Sequence, residues 1–231
     1  MKNKIIKSFA LFLCLLPDIA TADVTPYMQR RCDEMFLSSA VDVEINYDFG
    51  GLAYDTSKLP EEMAVLYSQH NGGKTAESAI NGLTVQNAYF RLTLDIENRS
   101  IKGGYKCYYP SKIQIDTGFK DSTIYISNSL KSGTCRFEQT KRHEHTHLFL
   151  GKAGLVAQAE LLRKMLPSII KKQGAVVSDE SKDLAEQEIF SSYNKVITDV
   201  RQMVADVTIG EQQKLDTKEN YIKETALCPK N

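Results

Sequence analysis

The stretch FEQTKRHEHTHLFLGKAGLVAQAELLRKML, residues 137–166, is where the hydrophobic period of the chain changes. Upstream of it apolar residues alternate with polar ones, in Val41, Val43, Ile45 and Tyr47 and again in Ala88, Phe90, Leu92, Leu94 and Ile96. Period two marks strands with one buried face. From Phe137 the apolar residues recur at steps of three and four up to Pro167, in a segment rich in good helix formers. Strands first and helices after predict an α+β fold: an antiparallel β-sheet in the N-terminal half packed on a helical C-terminal half.

Punctuation along the chain refines this. FGG at 49–51 ends the first strand, and DTSKLPEEMAVLYSQHNGG reads as one short helix, with Ser57 and Pro60 as start signals and Gly-Gly as the stop. ENRSIKGG turns the second strand into a hairpin whose return begins at YKCYYP; Ile113/Ile115 and Ile124/Tyr125/Ile126 read as further short antiparallel strands. Gly151 and Gly154 weaken the helix after Phe137, and Ser178 and Asp179 predict the cap of a second long helix from about Glu180 to Val207. If the two helices pair by turning near Gly174, the residues opposite the histidines fall around Asp199 to Asp206.

With 42% hydrophobic and 25% charged residues, the 231-residue chain is neither disordered nor collagen-like nor a multi-span membrane protein. Its 29 basic residues balance 29 acidic ones, so no net field draws it to nucleic acid or an anionic membrane. Residues 1–22 read as a signal peptide: MKNKIIK is a positive n-region, SFALFLCLL a short apolar core and Ala20-Thr21-Ala22 a cleavage site. Removal would leave one domain, 23–231, in the periplasm or outside the cell, with no membrane segment. Cys32, Cys107, Cys135 and Cys228 then remain, an even number in a compartment where disulfides persist. Four cysteines allow three connectivities and the sequence does not choose among them; the preferred set is Cys107–Cys135, stapling neighbouring strand regions, with Cys32–Cys228 joining the two ends of the domain.

Within the opening stretch, His143 and His147 lie four apart, so on a helix both imidazoles can face one ion, while Glu144 stands about 100° round the axis. This H-E-x-x-H spacing suits a zinc ion held by two neutral imidazoles, with the glutamate as general base for an activated water. His145 turns to the opposite side and takes no role. A catalytic site needs a third ligand, and position 153, where some H-E-x-x-H proteins carry it, is Ala153. The candidates are His70, Asp199, Asp206, Asp216 and Glu219.

The order of these features resembles the bacterial family of secreted proteins known as DUF922, taken to be zinc-dependent proteases. The resemblance runs from Val41 to about Tyr221: an early strand followed by glycine, a helix opening LPEEM, the strand AYFRLTLDIE, a cysteine-bearing return strand, the His143-Glu144-x-x-His147 helix and a late segment containing aspartate. It implies zinc held by His143 and His147, acid/base work by Glu144 and a peptide or protein substrate. Where the family pattern carries a histidine late in the chain, this sequence has LDTKENY. The rival expectation is a metal-binding domain that contacts an envelope or host partner without hydrolysis.

Overall fold

In a computed structural model, residues 24–70, 72–73, 80–179 and 181–229 are described; the predicted signal peptide lies outside them. The elements are α1 (Pro26–Leu37), β1 (Asp42–Asp48), β2 (Gly51–Asp55), α2 (Pro60–His70), β3 (Gly82–Ser100), β4 (Lys106–Ile126), α3 (Cys135–Gln173), β5 (Val176–Ser178), α4 (Lys182–Leu215) and α5 (Lys218–Thr225). Strands dominate the N-terminal half and helices the C-terminal half, the α+β arrangement expected.

The sheet, however, is mixed. β4 is its central strand, 21 residues long, and the runs at 113–115 and 124–126 belong to it rather than to separate strands. Along one edge it pairs antiparallel with β3 over almost its whole length; along the other it pairs parallel with β1 and β2 and antiparallel with β5. The parallel pairs follow from the path of the chain. After β2, the helix α2 carries it to the opposite edge, so β3 runs back against β4 and β4 returns in the direction of β1. FGG does not end the edge: the strand resumes at Gly51 against a later part of β4. Neither β2 nor α1 has enough periodicity to read from sequence.

Both long helices lie on one face of the sheet. Leu155, Ala159, Leu162, Leu166 and Ile169 of α3, and Ala185, Ile189, Tyr193, Ile197 and Val200 of α4, are buried at helical steps of three and four. All of these except Leu155 pack in one cluster with Ile45, Leu92, Tyr108, Ile113 and Ile115. Tyr108 and the two isoleucines share that face despite their unlike parity because the β3–β4 register shifts between Asp95 and Ile96. The helix α3 runs unbroken through Gly151, Gly154 and Pro167. A proline inside a helix costs about 3 kcal/mol and each glycine about 1, whereas every buried Leu or Ile contributes roughly 1.5–3 kcal/mol. The apolar stripe therefore outweighs the breakers.

The disulfides differ from the expected pairs: they are Cys32–Cys107 and Cys135–Cys228. Cys107 lies at the start of β4, while Cys135 lies beyond its other end, next to the end on which α3 packs through Ile124 and Ile126. The 21 residues of β4 amount to about 65 Å of extended chain, while a disulfide needs Cα atoms some 4.4–6.8 Å apart. Cys107 meets α1 instead, in a buried cluster with Phe36, Tyr105, Tyr109, Ala175 and Val177. Cys135, first residue of α3, meets Cys228 just beyond α5. Among the described residues no helix is long and apolar enough to cross a membrane, and two disulfides fit an oxidising, exported setting.

Candidate metal centre

The first third of α3 begins at Thr134, whose hydroxyl accepts the N–H of Phe137, and packs Phe137 and Leu148 against Ile124 and Ile126 of β4. That contact sets the rotation of the helix. It turns Glu144 toward the start of β3 and leaves His143 and His147 facing the far end of α4. All three are buried, at 5%, 5% and 9% exposure, which is unusual for groups so polar.

The histidine rings converge on Asp216, the residue that caps the end of α4. His143 Nε2 lies 3.2 Å from Asp216 Oδ1, His147 Nε2 lies 3.0 Å from it, and the two nitrogens are 3.1 Å apart. These atoms form a nearly equilateral triangle. Ligands about 2.0–2.1 Å from a tetrahedral zinc are separated by about 3.3 Å, so the triangle has the dimensions of one face of such a site. The other ring nitrogen of His143, Nδ1, is 3.0 Å from Glu224 Oε2. A carboxylate there keeps the proton on Nδ1 and presents the Nε2 lone pair to the triangle, the tautomer a metal ligand needs. Lone pairs facing a common point repel unless a cation lies between them. The group His143, His147 and Asp216 could thus hold a metal ion.

Tyr221 closes one side. Its hydroxyl donates to Asp216 Oδ1 at 2.9 Å and lies 3.4 Å from His143 Nε2, while its ring stacks on that of His143. On the other side Thr84 of β3 donates its hydroxyl to the backbone carbonyl of Glu144 and to Oε2, each at 2.9 Å. Gly82 lies close beside it: an added Cβ would meet Glu144 Oε1 and the Thr140 methyl, so that one of those side chains would have to move.

Burial raises the pKa of Glu144, against the opposing pull of the His147 and His143 imidazoles and the Thr84 hydrogen bond. For Asp216, burial acts upward, but the His143 and His147 rings, which donate to it through Nε2 when protonated, and the Tyr221 hydroxyl win, and the carboxyl is held well below the usual range. Tyr221 is pushed far up, by burial first and by Asp216 second. Desolvation disfavours the charged form of His143, yet the hydrogen bond to Asp216 and the charges of Glu144, Glu224 and Asp216 outweigh it and raise its pKa.

Of the five candidates for a third ligand, Asp216 alone joins the cluster among the described residues. His70 is exposed at the end of α2, Asp199 and Asp206 are exposed on α4, with Asp206 accepting from Gln202, and Glu219 is exposed in the first turn of α5. The helix hairpin fails to place Asp199 or Asp206 because its connection is not a tight turn. β5 is inserted in it, so that Gly154 faces Thr208 and α4 reaches the histidines only at its last turn. His145 hydrogen-bonds Tyr54 on the outer side of α3, away from the triangle, as its helical position requires. Glu224, Tyr221 and Thr84 escape a sequence reading. Tyr221 and Glu224 do lie three apart on α5, on one face of that helix, but nothing local announces that α5 folds back onto α3. Compared with known proteins, the chain matches no family model, no curated protein and no solved structure.

Proposed function

We propose that the chain is an exported zinc-dependent metallopeptidase, with His143, His147 and Asp216 as ligands and Glu144 as general base. The observation that carries the reading is the triangle of two imidazole nitrogens and one carboxylate oxygen, 3.0–3.2 Å on a side, with a buried glutamate one residue from the first ligand. Zinc bound there would supply Lewis acidity, lowering the pKa of water toward ~7 and polarising a peptide carbonyl. Glu144, its pKa raised by burial, is suited to take a proton on its carboxylate and return it to the departing amine. Thr84 holds that carboxylate through Oε2. Glu224 fixes the His143 ring, and Tyr221 steadies Asp216 by donating to Oδ1. On this reading the DUF922 resemblance extends to a chain whose late ligand is aspartate rather than histidine.

The test is zinc content and hydrolysis of a broad panel of unfolded proteins, for wild type and Glu144→Ala. Metal retained with hydrolysis reduced about 10²–10⁴-fold is expected, because the glutamate moves a proton and does not ligate. A zinc-loaded wild type inert toward the whole panel would sink the peptidase reading. A second reading, a metal-binding domain without hydrolysis, draws on the Tyr221 hydroxyl, which lies close enough to both His143 Nε2 and Asp216 Oδ1 to complete a closed set of four protein ligands.

A further inference from the structure

The metal reading above leaves open what assembles the centre, and the inference here rests on that reading. Three of the groups around the triangle, Asp216, Tyr221 and Glu224, come from one strap that follows α4 and contains α5. α5 has no buried residue, and Tyr221, Ile222 and Leu227 are 45%, 60% and 69% exposed. A helix of eight residues does not persist in water on its own propensity. Among the described residues the strap takes no share in the hydrophobic clusters, and it meets α3 through polar contacts to His143 and His147 and the stacking of the Tyr221 ring on His143. Its two covalent anchors are the end of α4 at Leu215 and the bond from Cys228 to Cys135, about two helical turns before His143.

We propose that the Cys135–Cys228 disulfide is a redox latch: it holds residues 216–228 across the start of α3, so that Asp216, Tyr221 and Glu224 stay against His143 and His147 only in the oxidised protein. With both ends tied, the strap's carboxylates are kept at high effective concentration beside the imidazoles. Opening one end leaves a short polar helix on a single tether, and that concentration falls. Closing the latch transfers two electrons and two protons from the thiols of Cys135 and Cys228 to a disulfide oxidant, which leaves as a dithiol; a dithiol reductant reverses the exchange. Access favours this pair. Cys135 is exposed and Cys228 half-buried, whereas Cys32 and Cys107 are both 0% exposed inside an apolar cluster. The centre is accordingly complete where disulfides persist and loosened where thiols are kept reduced.

The experiment compares wild type with the double variant Cys135→Ser/Cys228→Ser. It also includes wild type treated with dithiothreitol until this pair alone is open, capped with iodoacetamide and desalted. Two readouts are taken: tryptic cleavage after Lys218 and Lys223, which reports release of the strap, and zinc affinity by chelator competition. With far-UV circular dichroism retained, the opened proteins are expected to be cut at least ~10-fold faster and to bind zinc ~10–100-fold more weakly, the range of lost support around a metal. Unchanged cleavage and unchanged affinity in both opened forms overturn the latch. The two readings separate cleanly. Tight zinc in every form keeps the metal centre and removes the latch, while faster cleavage with no zinc bound by the oxidised wild type keeps the latch on the strap and removes the metal.

Discussion

At the scale of single residues, His143 carries the most information, because each of its nitrogens has an acidic neighbour. Glu224 on Nδ1 fixes the tautomer, so Glu224→Ala is expected to lower zinc affinity about 10–100-fold. The fold should remain intact, since α5 buries nothing; chelator competition together with a thermal melt checks both halves. The raised pKa of His143 also sets a pH dependence. Ligation needs the neutral ring, so zinc affinity is full above that pKa and falls as protons compete on acidification through it. The bend in affinity against pH should therefore lie above 6.5, the ordinary histidine value, in a titration from about pH 5 to 9. A bend at or below it would mean that the carboxylates do not act on the ring. His143, Glu144 and His147 are legible in the sequence because three- and four-residue offsets on a helix are local geometry. Asp216 is legible only as one of five acids or histidines, since which acid faces a helix depends on chain turns far from it.

At the scale of elements, the register of α4 against α3 decides which residue completes the triangle. Gly154 sits where Thr208 packs on α3, and a larger residue there must turn the Thr208 side chain or push the helices apart. Gly154→Val is expected to lower stability by roughly 1–3 kcal/mol through overpacking and to weaken zinc binding by displacing Asp216 at the end of α4. Calorimetry and metal titration measure the two effects, and zinc affinity unchanged beside a clear loss of stability would show that the register does not position the ligand. The helix periods and the β3–β4 hairpin follow from residue pattern alone. Three features do not: the three-residue β5, the five-residue β2, whose face is largely exposed, and the parallel pairing of β1. Short or exposed strands lack the alternation that burial imposes, and pairing direction depends on which edge the crossover reaches.

At the scale of the whole molecule, the two disulfides divide the labour. Cys32–Cys107 closes a 75-residue span inside a buried cluster and ties α1 to the sheet, so replacing both cysteines by alanine should cost about 2–5 kcal/mol, read as a lower melting temperature. Zinc affinity of the molecules that remain folded should be unaltered, because none of the ligands lies on α1 or at the Cys107 end of β4; a parallel loss of affinity would show that the two disulfides act as one unit. The sequence by itself determines the change from strands to helices at Phe137, the helical face shared by His143 and His147, and four cysteines beyond residue 22. These are consequences of composition and of spacing within one element. Cysteine pairing, the mixed order of the sheet and the choice of Asp216 are decided only by tertiary structure. Each depends on distances set by the length of β4 and by the insertion of β5 before α4, and no residue spacing encodes them.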